Sequence, residues 1–448
     1  MTTLKKLIPK DVLKIIRKLQ KHGEAYIVGG ACRDMMFDRL NSYEDKKYPI
    51  KDWDIVTSLT PEEIKKIYPK STTCGNSFLV SLVDGFEIAT FRTDKEDHAE
   101  VAHTLEEDVA RRDFTINAMA INPIKGTILD SEKGIEDTDE HILRFVGNPA
   151  RRIKEDSVRI IRGLRFAAKY NLVIEPNTYL AMQSLKELIN EVPGERIRLE
   201  IIKAFKSEGS HRFLMLLKEL NMLFEVFPTL CSLENIDGGP HHNESVLQHC
   251  FNAVKAVDSS KNYLLKLACL YHDIGKNDPM LNDEGENIFY DHHLKGQDCI
   301  EFDLGARLHF TNDEVKYVKF MARHHMDSID SKKSIKKLFT RLTEYDVPLR
   351  DFLLLRYADK KGNLKTTNDV NFLYIKNKYK ECLTILNTKP PAGVNQLEIN
   401  GRDVMCYFDL APGKEIGVML HYALDGVLSD VVKNEKEALL DYLERGYC

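Results

Sequence analysis

The sequence predicts an α+β protein of several domains, in which a small mixed-sheet head precedes mostly α-helical segments. Short apolar runs beside glycine and other turn residues, which are typical of strands, occur before residue 100. Beyond residue 205 the chain is rich in leucine, lysine and glutamate and favours helices. Its 448 residues suffice for about two to four domains. We place a head at 1–148, a helical neck at 149–205, a helical body at 206–365 and a helical tail at 366–448.

Composition excludes several classes of protein. Apolar residues make up 43% of the chain, charged residues 30%, and the net charge is -5, so any nucleic-acid site must be local. Nine scattered cysteines without a C-x-x-C pair indicate a reducing compartment and argue against a zinc finger or a disulfide framework. With neither a signal-peptide segment nor a run of about 18 apolar residues, we expect a cytoplasmic protein without a membrane partner.

Local signals define the first elements of the head. Apolar residues at helical spacing predict a helix over 11–22, followed by a strand at Ala25–Val28. The polar interval 41–51 is expected to be an exposed loop. Thr60-Pro61 should open a helix, because threonine caps helices and proline suits the first turn. Asp84-Gly85, between two apolar segments, predicts a β-hairpin.

Two carboxylates, Asp52 and Asp54, form a D-x-D pair before an apolar run. Residues at i and i+2 of a strand share one face, which suits divalent metal ions held against a triphosphate. Glu87 alternates with apolar neighbours and is either a third carboxylate of this face or a surface glutamate. The turn at Gly29-Gly30 would let backbone amides approach phosphate oxygens, with Arg33 supplying charge.

A second basic motif surrounds Arg111 and Arg112. We expect a helix to begin after this pair, and two arginines at the positive end of a helix dipole are unfavourable unless an anion binds there. They therefore indicate a triphosphate site. Asp113 and Asn117 would hydrogen-bond ribose hydroxyls or cap the helix.

A third motif is defined by charged residues spaced by three, which would place them on one helical face. They read either as a nucleotide pocket or as a solvated ion-pair stripe. The residues are Asp156, Arg159, Arg162 and Arg165.

Histidines and acidic residues form another pattern after residue 240. Imidazoles and carboxylates on helices make a plausible site for a transition metal or magnesium, although fifteen histidines also permit chance placements. The candidate ligands are His249, His272, Asp273, either His292 or His293, His325 and Asp359.

Taken in order, the motifs of the first half resemble the class II CCA-adding tRNA nucleotidyltransferases, whose close relatives are the bacterial poly(A) polymerases. The similar stretches are G-G-x-x-R-D at 29–34, D-x-D at 52–54, RRDFTINAMA at 111–120, E-D-x-x-R at 155–159, and the segments 195–200 and 399–405. The long loop before Asp52 and the bulky Trp53 depart from the family pattern beside the expected metal site.

The resemblance implies template-independent addition of CCA to the 3′ end of tRNA from CTP and ATP with Mg²⁺. It implies that Asp52 and Asp54 bind magnesium and that Arg112 contacts the nucleotide through ribose or phosphate. It also implies that the nucleotide touches Gly30 and Arg33, and that Asp156, Arg159, Arg162 and Arg165 line the pocket for its base and triphosphate. Poly(A) synthesis is the alternative within this class.

Base choice follows from hydrogen-bond patterns. Cytosine and adenine each present an amine donor beside a ring-nitrogen acceptor, whereas uracil and guanine present the reverse order. A carboxylate at Asp156 and a guanidinium at Arg159 would accept C and A and reject U and G.

The segment from His272-Asp273 to Lys276 resembles the HD-type metal-dependent phosphohydrolases. This implies an HD-type helical body with a second site that takes Ni, Co, Mn or Mg, or an HD fold retained as a scaffold. A phosphohydrolase with an RNA-binding head is therefore a further alternative. Basic stretches at 203–212 and 332–338 are either RNA-backbone contacts or solvated helix faces.

Overall fold

The computed structural model describes residues 7–40, 50, 52–74, 79–95, 98–240, 242–366, 372–388, 390–391 and 393–447. The loop predicted at 41–51 lies outside these ranges except for Ile50. Two compact units make up the chain: Met1–Ile201 with Met215–Glu225, and Ile202–Leu214 with Val226–Cys448. The α+β fold class is confirmed, and the division into head, neck, body and tail stays a prediction.

A seven-stranded mixed sheet dominates the first unit, in the order β3-β4-β5-β2-β1-β8-β9. Neighbouring strands are antiparallel except for β2 and β5, which are parallel. A separate two-stranded sheet pairs β6 with β7. The strands of these two sheets are β1 Ala25–Val28, β2 Asp54–Thr57, β3 Thr72–Cys74, β4 Val80–Val83, β5 Phe86–Thr90, β6 Arg92–Lys95, β7 His98–Val101, β8 Ala120–Asn122 and β9 Thr127–Leu129. Two further strand pairs are Ile142–Leu143 with Val173–Ile174, and Met280–Leu281 with Asn287–Ile288.

Short-range chemistry explains how this sheet is connected. Asp84 and Gly85 have φ angles of 50° and 86°, as the tight hairpin turn between β4 and β5 requires, so the predicted hairpin is confirmed. Thr60 and Glu63 form a capping box at the start of the helix Pro61–Ile67, which confirms the predicted helix start. All four residues of β1 are buried, as expected for a central strand.

Helices account for most of the remaining chain. The helix predicted over 11–22 is observed at Lys10–Leu19. The α-helices are Lys10–Leu19, Gly30–Leu40, Pro61–Ile67, Leu105–Ala110, Gly134–Asp139, Pro149–Glu155, Arg159–Tyr170, Pro176–Ser184, Gly194–Phe205, Ser210–Glu219, Leu223–Val226, Val246–Ala256, Tyr263–Tyr271, Gln297–Ile300, Asn312–His324, Lys332–Glu344, Leu349–Gly362, Phe372–Leu386, Gly401–Phe408, Lys414–Leu428 and Lys436–Gly446. Within the described ranges, none combines the length and apolar character that crossing a bilayer needs.

One helical prediction is wrong. Asp156 does not share a helical face with the arginines that follow it, because the chain leaves the helix Pro149–Glu155 at this residue. Its φ and ψ angles are -161° and 101°, and the next helix begins at Arg159. The aspartate therefore occupies an extended joint between two helices, while Arg159, Arg162 and Arg165 lie on the second one.

The basic stretch 332–338 pairs with acidic residues of the same unit. Lys333 and Lys337 both form ion pairs with Asp425, and Lys336 forms one with Asp430. These contacts favour the helix-face interpretation over contacts with an RNA backbone, because the lysine charges already have partners.

Candidate functional site

The predicted carboxylates gather at one end of the sheet. Parallel pairing of β2 with β5 sets Ile55 opposite Ile88, so Asp54 and Glu87 precede matched positions on adjacent strands. Asp52, Asp54 and Glu87 are all exposed. Partial desolvation by surrounding protein atoms raises the pKa of Asp54, and the negative charges of Glu87 and Asp52 raise it further. The positive charges of Arg112 and Arg33 oppose that shift.

These carboxylates suit a divalent cation by their chemistry. No hydrogen bond or ion pair within the described residues engages the side chains of Asp52, Asp54 or Glu87. Oxygen ligands of this type are those that Mg²⁺ prefers. In the described part of the chain, however, the side-chain groups whose donor atoms all lie within 4.8 Å of one another occur elsewhere. The sheet thus brings the three carboxylates to one edge without closing them to ligand spacing.

Gly29 lies close to the side chains of Asp54 and Arg112. Its φ angle is +65°, and a Cβ atom built on it would lie 3.0 Å from Asp54 Oδ2 and 3.3 Å from Arg112 Nη1. The positive φ angle favours glycine here, and a Cβ atom would also require the Asp54 or Arg112 side chain to shift by a few tenths of an ångström. Gly30 begins the helix Gly30–Leu40, so the amides of that N-terminus adjoin the same turn.

Arg33 is held by protein groups. It is buried, donates from Nη1 to Asn117 Oδ1 at 2.7 Å and from Nε to Asp34 Oδ1 at 3.0 Å, and lies over the Phe166 ring. Tyr170 also donates to Asp34 Oδ1, at 2.5 Å. This network fixes the guanidinium close to the turn, and its contact with a nucleotide stays a prediction.

The dipole argument for Arg111 and Arg112 is wrong. Both arginines follow the C-terminal end of the helix Leu105–Ala110, where a positive charge is favourable, and only a single 3₁₀ turn comes after them. The sequence signal for this earlier helix was the capping box of Thr104 and Glu107. Their actual partner is Asp108, which is fully buried and bonds to both guanidinium groups.

Asp113 is engaged on both carboxylate oxygens. It accepts from Phe114 N at 2.8 Å and Asn117 Nδ2 at 2.9 Å, and from Arg162 Nε at 2.5 Å. Although burial works in the other direction, Arg162 and these donors hold the pKa of Asp113 below its ordinary value. The geometry assigns Asp113 a role in orienting Arg162, and ribose binding stays a prediction.

Arg165 is a buried residue paired with Glu200. Its Nε donates to Glu200 Oε2 at 2.5 Å, and Arg162 Nη1 lies 3.7 Å from Glu200 Oε1. Glu200 is itself buried and was not predicted as a site residue. A direct contact of Arg165 with the base or triphosphate stays a prediction.

Asp156 and Arg159 each have another partner. Asp156 Oδ2 accepts from Arg196 Nη2 at 2.8 Å. Arg159 donates from Nη1 to Glu155 Oε2 at 2.8 Å and to the Arg152 carbonyl at 2.9 Å. The two predicted base-reading residues therefore do not pair with each other, which leaves one oxygen and several donors for a ligand. Arg196 was overlooked, although it lies in the segment 195–200 that contributed to the family resemblance.

In the second unit, the predicted histidine and acidic ligands converge. His249 Nε2 lies 3.1 Å from Asp359 Oδ1 and 3.6 Å from Asp273 Oδ2, and His272 Nε2 lies 3.4 Å from Asp273 Oδ2. The other oxygen of Asp273 lies 3.2 Å from His292 Nε2 and 3.6 Å from His325 Nε2. Two ligand groups thus share Asp273, and His292 rather than His293 belongs to them.

The opposite ring nitrogens are tied to the protein. Nδ1 of His272, His292 and His325 lies 2.9, 3.0 and 2.7 Å from the carbonyl oxygens of Cys269, Phe289 and Ala322. An Nδ1–H donor in each case leaves the Nε2 lone pair directed at the centre, which is the usual arrangement of histidine metal ligands.

Three further groups surround the cluster. Glu244 is buried and lies 3.3 Å from His249 Nδ1 and 3.0 Å from His242 Nδ1. Lys276 Nζ lies 2.8 Å from Asp273 Oδ2. Although burial opposes it, Asp359 and then Glu244 raise the pKa of His249 to about 9. Lys276 ends the segment that resembles the HD-type enzymes, but the sequence does not indicate its role. Glu244 and His242 belong to no recognisable motif in the sequence, so they were not predicted.

Three family models match successive parts of the chain. They describe the poly A polymerase head domain at residues 25–144, the RNA and SrmB-binding site of polymerase A at 171–233, and tRNA nucleotidyltransferase domain 2 at 309–443. A CCA-adding enzyme of Streptococcus mutans is 28% identical over 97% of both chains. The chain belongs to the class II CCA-adding enzyme and poly(A) polymerase family.

Relatives of both kinds occur within this family. Poly(A) polymerase I of Salmonella typhimurium is 32% identical over 50% of this chain and 51% of its own. The crystal structure of the Bacillus stearothermophilus CCA-adding enzyme in complex with CTP has the same fold, with a TM-score of 0.74 and 23% identity over 97% and 96% of the two chains. Its fold supports the α+β architecture of this class II family member.

Membership of the CCA-adding enzyme and poly(A) polymerase family leaves the histidine cluster unassigned. The three matched descriptions concern polymerase and nucleotidyltransferase domains. Of the cluster ligands, the range 309–443 includes only His325 and Asp359, and the other two ranges include none. A nucleotidyltransferase family implies dependence on divalent metal ions. Both the acidic edge of the sheet and the histidine cluster offer ligands of the appropriate type.

Proposed function

We propose that this protein adds CCA to the 3′ end of tRNA from CTP and ATP with Mg²⁺, in the cytoplasm. The main observation is the position of Asp54, whose carboxylate has no cation partner in the described chain and adjoins the Gly29 turn and Arg112. The similar proteins named CCA-adding enzymes support the same reaction. Seven cysteines have described side chains, and their free thiols agree with a reducing compartment.

The residues divide the work by their chemistry. Asp52, Asp54 and Glu87 would hold magnesium, which supplies charge stabilisation for the attacking and leaving oxygens. The Gly29 turn places the N-terminal amides of the helix Gly30–Leu40 next to Asp54, where they would donate to a phosphate. Arg112 Nη1 lies beside the same turn, so this guanidinium would contact an anion bound there.

Asp156 and Arg159 would select the base. Arg196 occupies Asp156 Oδ2, so Oδ1 remains to accept from the exocyclic amine of cytosine or adenine. Glu155 and the Arg152 carbonyl occupy Arg159 Nη1, and its other donors remain for the ring nitrogen. No nucleic-acid template is needed for this choice.

A direct assay separates this function from poly(A) synthesis. The protein is incubated with tRNA that lacks its 3′ CCA, and with each labelled nucleoside triphosphate in turn. CCA addition requires incorporation of C followed by one A, whereas runs of A without prior C would identify a poly(A) polymerase. Absence of all incorporation would contradict both assignments.

Gly29→Ala is expected to lower the affinity for CTP by about tenfold or more, because the new methyl group meets Asp54 and Arg112 at the phosphate turn. Calorimetric titration with CTP and magnesium measures this. Gly85→Ala is the matched control, since Gly85 also has a positive φ angle but an added Cβ would meet nothing within 4 Å. Equal CTP affinities of the two variants would remove the turn from the site.

For the second unit we propose a divalent-metal-dependent phosphohydrolase of HD type. The observation that favours it is the convergence of four histidines and Asp359 around Asp273. His249, His272, Asp273 and Asp359 would hold one ion, and His292 and His325 would hold a second with Asp273. Such mixed imidazole and carboxylate ligands favour Ni, Co or Mn over Mg.

His272→Ala is expected to remove any phosphatase or cyclic phosphodiesterase activity and to leave CCA addition within about twofold, because the ligands lie in a different compact unit from Asp54. Hydrolysis of a phosphomonoester and a cyclic phosphodiester is measured with Mg, Mn, Ni and Co. His293→Ala is the control, since that adjacent histidine lies outside the two ligand groups. No hydrolysis by the unaltered protein with any of the four ions would make this unit a scaffold.

A further inference from the structure

Arg112 lies between two carboxylates with different surroundings. Its Nη2 bonds to Asp108 Oδ2 at 3.0 Å, whereas Nη1 approaches the same point beside Gly29 as Asp54 Oδ2. Asp108 is fully buried, and Asp54 is exposed. No ion pair joins Asp54 to a described arginine or lysine. The guanidinium is thus bound to the buried carboxylate and not to the exposed one.

Asp108 also accepts hydrogen bonds from Arg111 and from the backbone of Arg92. Its Oδ1 accepts from Arg111 Nη2 at 3.0 Å and Arg111 Nε at 3.2 Å, and from the backbone N–H of Arg92 at 3.3 Å. Both arginine side chains are more than four-fifths buried, with exposures of 17% and 16%. A buried, multiply bonded carboxylate holds a guanidinium more firmly than an exposed carboxylate in water does.

We propose that Asp108 is a positioning residue that keeps Arg112 from neutralising Asp54, and so keeps Asp54 available to magnesium. This inference rests on the proposed nucleotidyl transfer at Asp54. Asp54 Oδ2 and Arg112 Nη1 lie 3.0 and 3.3 Å from the position of a Cβ atom built on Gly29, so without the Asp108 charge the guanidinium would be attracted to Asp54. A guanidinium on that carboxylate would then compete with the cation for the same oxygens.

The test uses Asp108→Asn in the full chain and measures magnesium dependence in two ways. The first is CTP affinity as a function of magnesium concentration, by calorimetry without tRNA, which does not depend on turnover. The second is C incorporation into tRNA over the same magnesium range. We expect the half-saturating magnesium concentration to rise about tenfold in both, with less than threefold loss of kcat at saturating magnesium.

A double variant separates this role from general support of the fold. If misplaced Arg112 causes the shift, adding Arg112→Gln to Asp108→Asn should return the magnesium midpoint to that of Arg112→Gln alone, even though both have a low kcat. Thermal unfolding checks that each variant is folded. If the midpoint of the double variant stayed tenfold higher than that of Arg112→Gln, the proposal would be overturned.

If Asp108→Asn does not fold, the milder variant Arg111→Gln provides a second test. Arg111→Gln leaves Asp108 with Arg112 as its remaining side-chain arginine partner, so the magnesium midpoint should stay unchanged or fall. A rise of the midpoint in this variant would contradict the proposal. Absence of magnesium-dependent addition by the unaltered protein would instead contradict the proposed function, so the two failures are distinguishable.

Discussion

Asp54→Ala is expected to abolish nucleotide addition while leaving folding and tRNA binding nearly unchanged. The side chain is exposed, and no described hydrogen bond or ion pair depends on it, so its removal should cost little stability. Loss of charge stabilisation at such a centre typically costs about 3 kcal/mol or more, which corresponds to at least about a hundredfold in rate. Asp52→Ala should behave in the same way.

Single-turnover C incorporation at saturating magnesium measures this effect, with filter binding of tRNA and thermal unfolding in parallel. Glu62→Ala is the control, because it removes an exposed carboxylate from the surface of the helix Pro61–Ile67 without touching the acidic edge. If both aspartate variants kept turnover, the active site would lie elsewhere.

Asp156→Ala is expected to relax base choice. Its loss removes the acceptor for the amine of C or A and the negative charge that disfavours the carbonyl of U or G. We expect kcat/KM for CTP and ATP to fall about 10-fold to 1000-fold, as loss of one or two specifying hydrogen bonds of about 1–3 kcal/mol implies. Incorporation of UTP or GTP should become measurable.

The measurement is kcat/KM for all four triphosphates on a tRNA acceptor. Arg196→Ala provides a graded comparison, because it leaves the Asp156 carboxylate in place but removes the donor that holds Oδ2. It should shift the selectivity ratios in the same direction and by less. If Asp156→Ala lowered all four efficiencies by one factor, Asp156 would be an ion-pair partner that only orients its neighbours.

Elements governed by adjacent residues were predictable. The Asp84-Gly85 hairpin and the Thr60 cap depend on turn and capping chemistry contained in a few residues, and both occur as expected. The break at Asp156 was missed because the apolar and charged spacing runs across it without a glycine or an internal proline. Helical periodicity alone does not show where one helix ends and the next begins.

Among the site residues, the residue types that the chemistry needs were predictable from the sequence, whereas the residues that support them were not. The His272-Asp273 pair and the D-x-D carboxylates were recognisable because the chemistry demands those residue types. Their supporting groups were not, because Asp108, Glu244 and Glu200 look like ordinary acidic residues until the fold buries them. Burial of a carboxylate among guanidinium or imidazole groups depends on tertiary packing, and spacing in the sequence does not encode it.

Asp156 is the extended residue between the helices Pro149–Glu155 and Arg159–Tyr170, and this position affects how the proposed enzyme would accommodate two different bases. A carboxylate on a short non-helical joint can be re-aimed by small backbone rotations, whereas Arg159 at the start of a helix is tied to that helix. We expect one adjustable acceptor beside one fixed donor to fit first a pyrimidine and then a purine. Cytosine and the wider adenine would then be added in succession at one pocket, without a second enzyme for the final A.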